Sequence, residues 1–102
     1  MTKVTLLFSA ACPNWRDVDR QLRELADELG FVLAHHELTG PREAEREEFV
    51  GSPTVLIDGR DPFPSDRPSG LSCRRYATDH GPQGAPPAVA LRDALRRATA
   101  GG

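Results

Sequence analysis

The stretch that decides the fold covers residues 5–15 and reads TLLFSAACPNW. Its first four residues are mostly apolar and typical of a short buried strand. Three small residues then lead to Cys12, and Pro13 follows where the first turn of a helix needs no backbone N–H. From Trp15 onward, apolar residues recur at spacings of three and four until a glycine stops the pattern. The stretch therefore predicts a strand followed by a helix that Cys12 opens.

Cys12 is the candidate nucleophile of the chain. Backbone N–H groups of a first helical turn and the helix dipole stabilise negative charge, so a thiol at that position is biased toward thiolate. The thiolate is the form that attacks sulfur and binds soft metal ions. A buried structural thiol is the alternative for a free cysteine, but the position before Pro13 favours the reactive role.

Length and charge narrow the classes of function. The chain has 102 residues and a formal net charge of −2, from which we expect a single domain over residues 1–100 and a flexible tail at 101–102. Without a basic stripe, nucleic acid is not an expected partner. Because no long apolar run or signal peptide is recognised, a membrane is not an expected partner either. The composition predicts a cytoplasmic protein and leaves its oligomeric state open.

The chain contains two cysteines, Cys12 and Cys73. Because the cytosol keeps ordinary thiols reduced, a pair of cysteines there favours redox, catalytic or metal chemistry over a structural disulfide. Two interpretations of Cys73 stay open: it forms an attacking and resolving pair with Cys12, or it is an edge-strand thiol without a partner. The adjacent Arg74 and Arg75 are candidates for attracting an anionic thiol, but on an alternating strand only one of them faces a given site.

The rest of the pattern predicts an α/β fold. A second strand is expected at residues 31–36, followed by a short helix with Ala44 and Phe49 inward, and an unbroken apolar run predicts a third strand at 54–57. Asp58 and Gly59 form a turn signal, and prolines interrupt the loop that follows. Residues 71–76 are the expected fourth strand, and a closing helix over 88–98 points Val89, Leu91, Leu95 and Ala98 inward. This describes a central mixed four-stranded sheet flanked by about three helices.

The order β–α–β–α–β–β–α, with Cys12 opening the first helix and Ser52-Pro53-Thr54 opening the third strand, resembles the thioredoxin-like fold over most of the chain. The segments CPNW, GSPT, DGRDPF and GLSCR resemble small bacterial thioredoxin-family proteins, some of which are labelled alkylmercury lyase. The resemblance implies that Pro53 is cis and lies against Cys12. One position departs from the family, because Trp15 stands where thioredoxin has its second cysteine, so a local Cys-X-X-Cys disulfide is impossible here.

The function expected from this resemblance is thiol–disulfide exchange. Cys12 is the expected nucleophile toward a protein disulfide or a small thiol substrate, and Cys73 or an external thiol resolves the mixed disulfide. The residues expected to border the substrate are Trp15, Ser52, Pro53 and Thr54, although a place in the core is favoured for the Trp15 ring. No cofactor is expected, because sulfur itself carries the electrons.

Two other functions stay open. In the first, both thiolates bind mercury or an organomercurial and a nearby acid protonates the leaving carbon. In the second, the chain is a binding domain that has kept the fold without dithiol catalysis. No metal site is expected from the histidines, because His35 and His36 point to opposite faces of a strand and His80 lies in a late loop without zinc-type cysteine spacing.

Overall fold

Over the residues that the structure describes, the chain has an α/β fold with a three-stranded mixed sheet and three helices. The computed structural model describes residues 1–63, 65 and 68–100. In chain order the elements are β1 (Lys3–Phe8), α1 (Trp15–Leu29), β2 (Val32–Glu37), α2 (Pro41–Arg46), β3 (Thr54–Ile57) and α3 (Ala88–Ala100). The predicted tail at 101–102 and one of the predicted loop prolines, Pro64, lie outside the described residues.

The sheet has the order β2–β1–β3. β1 runs parallel to β2, with Lys3 opposite Val32, and antiparallel to β3, with Leu6 opposite Val55. β1 is therefore the central strand, which accounts for its apolar run: a strand between two neighbours and covered on both faces is hydrophobic nearly throughout.

The two faces of β1 supply two separate parts of the core. Val4 and Leu6 belong to the cluster beneath α1 and α3, whereas Leu7 packs on the other face with α2, because successive side chains of a strand point to opposite sides. Ala44 and Phe49 are fully buried in this second cluster, as predicted. In α3, Leu91 and Leu95 are buried. The inward placement predicted for Val89 is wrong, because this residue of the first turn is 73% exposed.

Helix α1 begins at Trp15, later than the sequence predicts. Asn14 is its N-cap, with φ of −62° and no capping hydrogen bond from its side chain. The N–H of Arg16 donates to the carbonyl of Pro13 over 3.2 Å, and that of Cys12 donates to Ser9 over 3.1 Å. Cys12 consequently lies in a tight turn that leads into α1 rather than at the cap itself.

The fourth strand predicted at residues 71–76 does not form. In the described part of the chain this segment makes only isolated bridges, one between Cys73 and Ser52 and one between Tyr76 and Gln83. The reason is that the segment turns away after Arg74: the N–H of Tyr76 donates to Gln83 over 2.8 Å and receives the reciprocal bond over 2.9 Å, instead of continuing along β3.

The predicted turn at Asp58 and Gly59 is present at the end of β3. Both residues have positive φ, 50° and 84°, as a two-residue hairpin turn requires. The N–H of Ile57 donates to the carbonyl of Arg60 over 2.7 Å. The described residues after this turn form no further strand, and Pro62 follows two residues later.

Candidate functional site

A disulfide joins Cys12 to Cys73. The two residues are 61 positions apart in sequence, and their Cα atoms lie 5.5 Å apart, a separation that suits a disulfide. Among the described residues no cysteine is free. The structure therefore brings the two candidate catalytic residues together, although nothing in their local sequence requires it.

The two halves of this disulfide differ in accessibility. Cys12 is only 1% exposed. Its Sγ lies 3.7 Å from the carbonyl oxygen of Ser52. Cys73, by contrast, is exposed to solvent. The bond thus runs from the protein interior to its surface.

Ser52 connects the two segments that carry the cysteines. Its side chain is completely buried, and its Oγ accepts a hydrogen bond from the N–H of Ser9 over 3.0 Å, in the loop before Cys12. Its own N–H donates to Ser72 over 2.9 Å, and its carbonyl accepts from the N–H of Arg74 over 2.9 Å. Residues 72 and 74 flank Cys73, so Ser52 bonds both to the loop before Cys12 and to the segment around Cys73.

The peptide bond between Ser52 and Pro53 is cis, as predicted. The Tyr76 hydroxyl donates to the Pro53 carbonyl over 2.5 Å. Thr54 is also engaged internally, since its Oγ1 donates to the carbonyl of Gly51 over 2.7 Å. These contacts show what holds residues 52–54 in place; their predicted role of bordering a substrate stays a prediction.

Arg74 is the largest side chain buried beside the disulfide, with an exposed fraction of 2%. Its Nη1 donates to Asp61 Oδ2 over 2.6 Å and to Thr54 Oγ1 over 3.2 Å, and its Nη2 donates to the carbonyl of Phe63. The guanidinium carbon lies 4.3 Å from the centre of the Tyr76 ring. A buried cation requires such partners, and these contacts attach the residue after Cys73 to β3 and to the loop beyond it.

Gly51 allows Arg74 to approach the chain so closely. A Cβ atom on Gly51 would lie 2.8 Å from Arg74 Cβ, and its φ of +127° is a conformation that residues with side chains rarely adopt. Neither Gly51 nor the ion pair between Asp61 and Arg74 was singled out from the sequence. A glycine before Ser-Pro-Thr was a usable signal, whereas no pattern connects Asp61 to Arg74.

Trp15 takes the place in the core that was one of its two predicted roles. Its ring stacks on Phe8 with 4.4 Å between the centroids, and it packs against the cluster beneath α1 while remaining partly exposed. The Arg16 guanidinium carbon lies 5.4 Å from the centre of the same ring. A part in substrate binding stays a prediction.

The neighbouring histidines point to opposite faces of β2, as predicted. His35 Nε2 lies 2.5 Å from Asp19 Oδ1 on α1, and His36 Nε2 lies 3.8 Å from Glu43 Oε2 on α2. Burial raises the pKa of Asp19, but its hydrogen bonds with His35 and Arg23 outweigh that effect and leave the pKa lowered. In the part of the chain that the structure describes, no group of three or more His, Cys, Asp or Glu residues is placed to hold a metal ion.

No family model matches the chain, and no curated protein matches it either. Within residues 1–63, 65 and 68–100, none of the helices is long and apolar enough to span a bilayer.

Proposed function

We propose that this chain is a thiol–disulfide oxidoreductase of the thioredoxin-like type in which Cys12 and Cys73 alternate between a dithiol and a disulfide. The observation that carries the proposal is the Cα separation of 5.5 Å between two cysteines that are 61 positions apart. In a compartment that reduces ordinary thiols, such a bond serves a reaction cycle rather than permanent stabilisation.

The thioredoxin-like assignment is supported by the arrangement around the sheet. A strand, a helix and a parallel strand are followed by an antiparallel strand that begins after a cis Pro53, and Cys12 lies in the turn before the first helix. The bridge between Ser52 and Cys73 lies just before β3 and is parallel, so it is not the antiparallel pairing that a hairpin strand after β3 would make. An irregular segment in place of that strand is the departure from the family pattern.

The proposed cycle begins with the Cys12 thiolate. It attacks one sulfur of a substrate disulfide, forms a mixed disulfide and releases one substrate thiolate. The Cys73 thiolate then attacks Cys12 Sγ, forms the intramolecular disulfide and releases the second substrate thiolate. Two electrons pass from the protein to the substrate, so no organic cofactor is required. Because Cys12 is only 1% exposed in the disulfide form, both steps require the turn that carries it to open, and in the second step the substrate sulfur leaves from the side opposite Cys73.

The reaction of the reduced protein with 5,5′-dithiobis(2-nitrobenzoate) tests the proposal under native conditions. We expect the parent to release a second equivalent of thionitrobenzoate in a first-order phase that is independent of reagent concentration, because closure of the disulfide expels it. Cys73→Ser should release one equivalent and retain the adduct on Cys12. The proposal fails if Cys12→Ser reacts as fast as the parent and the second equivalent depends on reagent concentration. Failure of both cysteines to react would instead favour a non-catalytic binding domain.

The same pair of sulfurs supports a second candidate function, the binding of mercury. Once reduced, two neighbouring thiolates suit a soft metal ion that accepts two ligands. We expect the reduced parent to bind one Hg²⁺ more tightly than either single-cysteine variant. Release of hydrocarbon from a test organomercurial separates cleavage from binding, and the candidate is rejected if the parent and the variants bind the metal equally.

A further inference from the structure

The geometry of the disulfide restricts which of its sulfurs an external thiol can attack. In thiol–disulfide exchange the attacking, central and leaving sulfurs lie nearly in line, so the attacker approaches from the side opposite the leaving sulfur. Attack on Cys12 would therefore require the turn that carries it to open first, as it must around a bound substrate, because Cys12 is 1% exposed and its Sγ lies 3.7 Å from the Ser52 carbonyl. Attack on Cys73 comes from solvent, because Cys73 is exposed and its leaving partner lies inward.

The residues around Cys73 divide into a buried and an exposed face. Burial alternates along the segment: Arg74 and Tyr76 are buried, whereas Cys73 and Arg75 are exposed. Arg74 is committed to Asp61 and provides no charge at the surface. Arg75, two residues from Cys73 in a segment whose burial alternates, therefore lies on the same face as the exposed Cys73.

We propose that the oxidised protein is reopened by an anionic thiol that attacks Cys73, with Arg75 attracting it; this inference rests on the proposed function. The incoming thiolate forms a disulfide with Cys73 Sγ, and the bond to Cys12 breaks with its electron pair leaving on Cys12. The start of α1 lies just beyond Cys12 and favours the expelled negative charge. A second molecule of the thiol then attacks the sulfur of the first, which releases the oxidised thiol and leaves Cys73 as a thiolate. The thiol is oxidised and the protein reduced by two electrons.

Trapping the intermediate locates the attacked sulfur. The oxidised protein is mixed with glutathione, quenched with iodoacetamide after milliseconds to seconds, and mapped by peptide mass spectrometry. At the earliest times we expect the glutathione adduct on Cys73 and the alkyl label on Cys12. The reverse distribution, or equal adducts on both cysteines, would overturn the inference. The proposed function is judged separately by whether the disulfide opens and closes reversibly at all.

Two matched charge reversals test the same inference without a trapped intermediate. Arg75→Glu changes a cation two residues after Cys73, and Arg16→Glu changes an exposed cation four residues after Cys12. At low ionic strength we expect Arg75→Glu to slow opening by glutathione about threefold or more, to leave opening by neutral 2-mercaptoethanol nearly unchanged and to speed opening by cationic cysteamine. Arg16→Glu should change none of these rates by as much. If Arg16→Glu has the larger effect, or if the effect of Arg75→Glu does not depend on thiol charge, the inference is wrong.

Discussion

The N–H of Ser9 donates to the buried Oγ of Ser52 over 3.0 Å, and this bond connects the loop before Cys12 to the residue against which the Cys73 segment pairs. The disulfide therefore lies between two segments that are already held by hydrogen bonds to a common residue. We infer that the fold itself, and not the covalent bond alone, keeps the two sulfurs near each other.

Replacing Ser52 with alanine removes the acceptor for the Ser9 N–H. Because this donor is left inside the protein without its partner, we expect the free energy of unfolding to fall by about 1–2 kcal/mol. Urea unfolding followed by the fluorescence of Trp15, the only tryptophan in the chain, measures the change. The control is Ser72→Ala, since Ser72 is exposed and bonds to Ser52 through its backbone carbonyl. Equal effects of the two substitutions would contradict this account of Ser52.

Replacing Gly51 with alanine tests the close approach of Arg74. The new Cβ would lie 2.8 Å from Arg74 Cβ at a φ of +127°, so the segment after Cys73 must move. We expect a loss of more than about 2 kcal/mol of stability. Gly40→Ala is the matched control, because a Cβ there meets nothing within 4 Å and its φ is −147°. A Gly51 variant as stable as the Gly40 variant would show that the contact does not constrain the site.

Arg74→Met tests whether the buried cation positions Cys73. The substitution leaves Asp61, which is partly buried, without its ion pair, and we expect a loss of about 2–4 kcal/mol. The loosened segment should also lower the equilibrium constant for forming the disulfide from the reduced protein in glutathione buffers. Each 1.4 kcal/mol added to the free energy of bringing the two sulfurs together lowers this constant about tenfold. Arg60→Met, in an exposed turn, is the control. An unchanged equilibrium constant in Arg74→Met would assign Arg74 to stability alone.

Tyr76 is the only tyrosine, so its ionisation can be followed directly by ultraviolet absorbance. Burial raises its pKa above the ordinary value of 10, against the opposing effect of the Arg74 cation. Since the unfolded chain loses this proton first, the stabilising contribution is complete below pH 10 and is lost as the pH rises beyond it. We expect phenolate absorbance to appear only with unfolding, and not near pH 10 in the folded protein. Tyr76→Phe should remove this part of the alkaline destabilisation.

Much of the fold could be predicted from local patterns. The apolar run of β1, the three- and four-residue spacing of α1, and the turn at Asp58 and Gly59 each report a conformation that their own residues favour. The prediction failed at residues 71–76, because apolar and polar alternation there suits a strand while backbone bonds between Tyr76 and Gln83, seven residues on, redirect the chain. The alternation alone does not report that competing partner.

The features of the candidate site also divide into those that could be predicted from local patterns and those that could not. Cys12 and Pro53 could be identified because each lies in a short motif at the end of a strand or loop, and the expectation of a cis bond at Pro53 is confirmed. The exposure of Cys73, the burial of Arg74 and its ion pair with Asp61 could not be predicted, since they depend on contacts between residues that are distant in sequence. Which sulfur faces solvent is thus a property of the tertiary structure.

The most direct test of the central claim is thiol counting by mass spectrometry across glutathione buffers of defined redox potential, with Cys12→Ser and Cys73→Ser alongside the parent. The account predicts that both thiols of the parent disappear together in one reversible transition, with a loss of two hydrogens and no added mass, while each variant gains only a glutathione adduct. Independent modification of Cys12 and Cys73 in the parent, without an intramolecular bond at any potential, would contradict it.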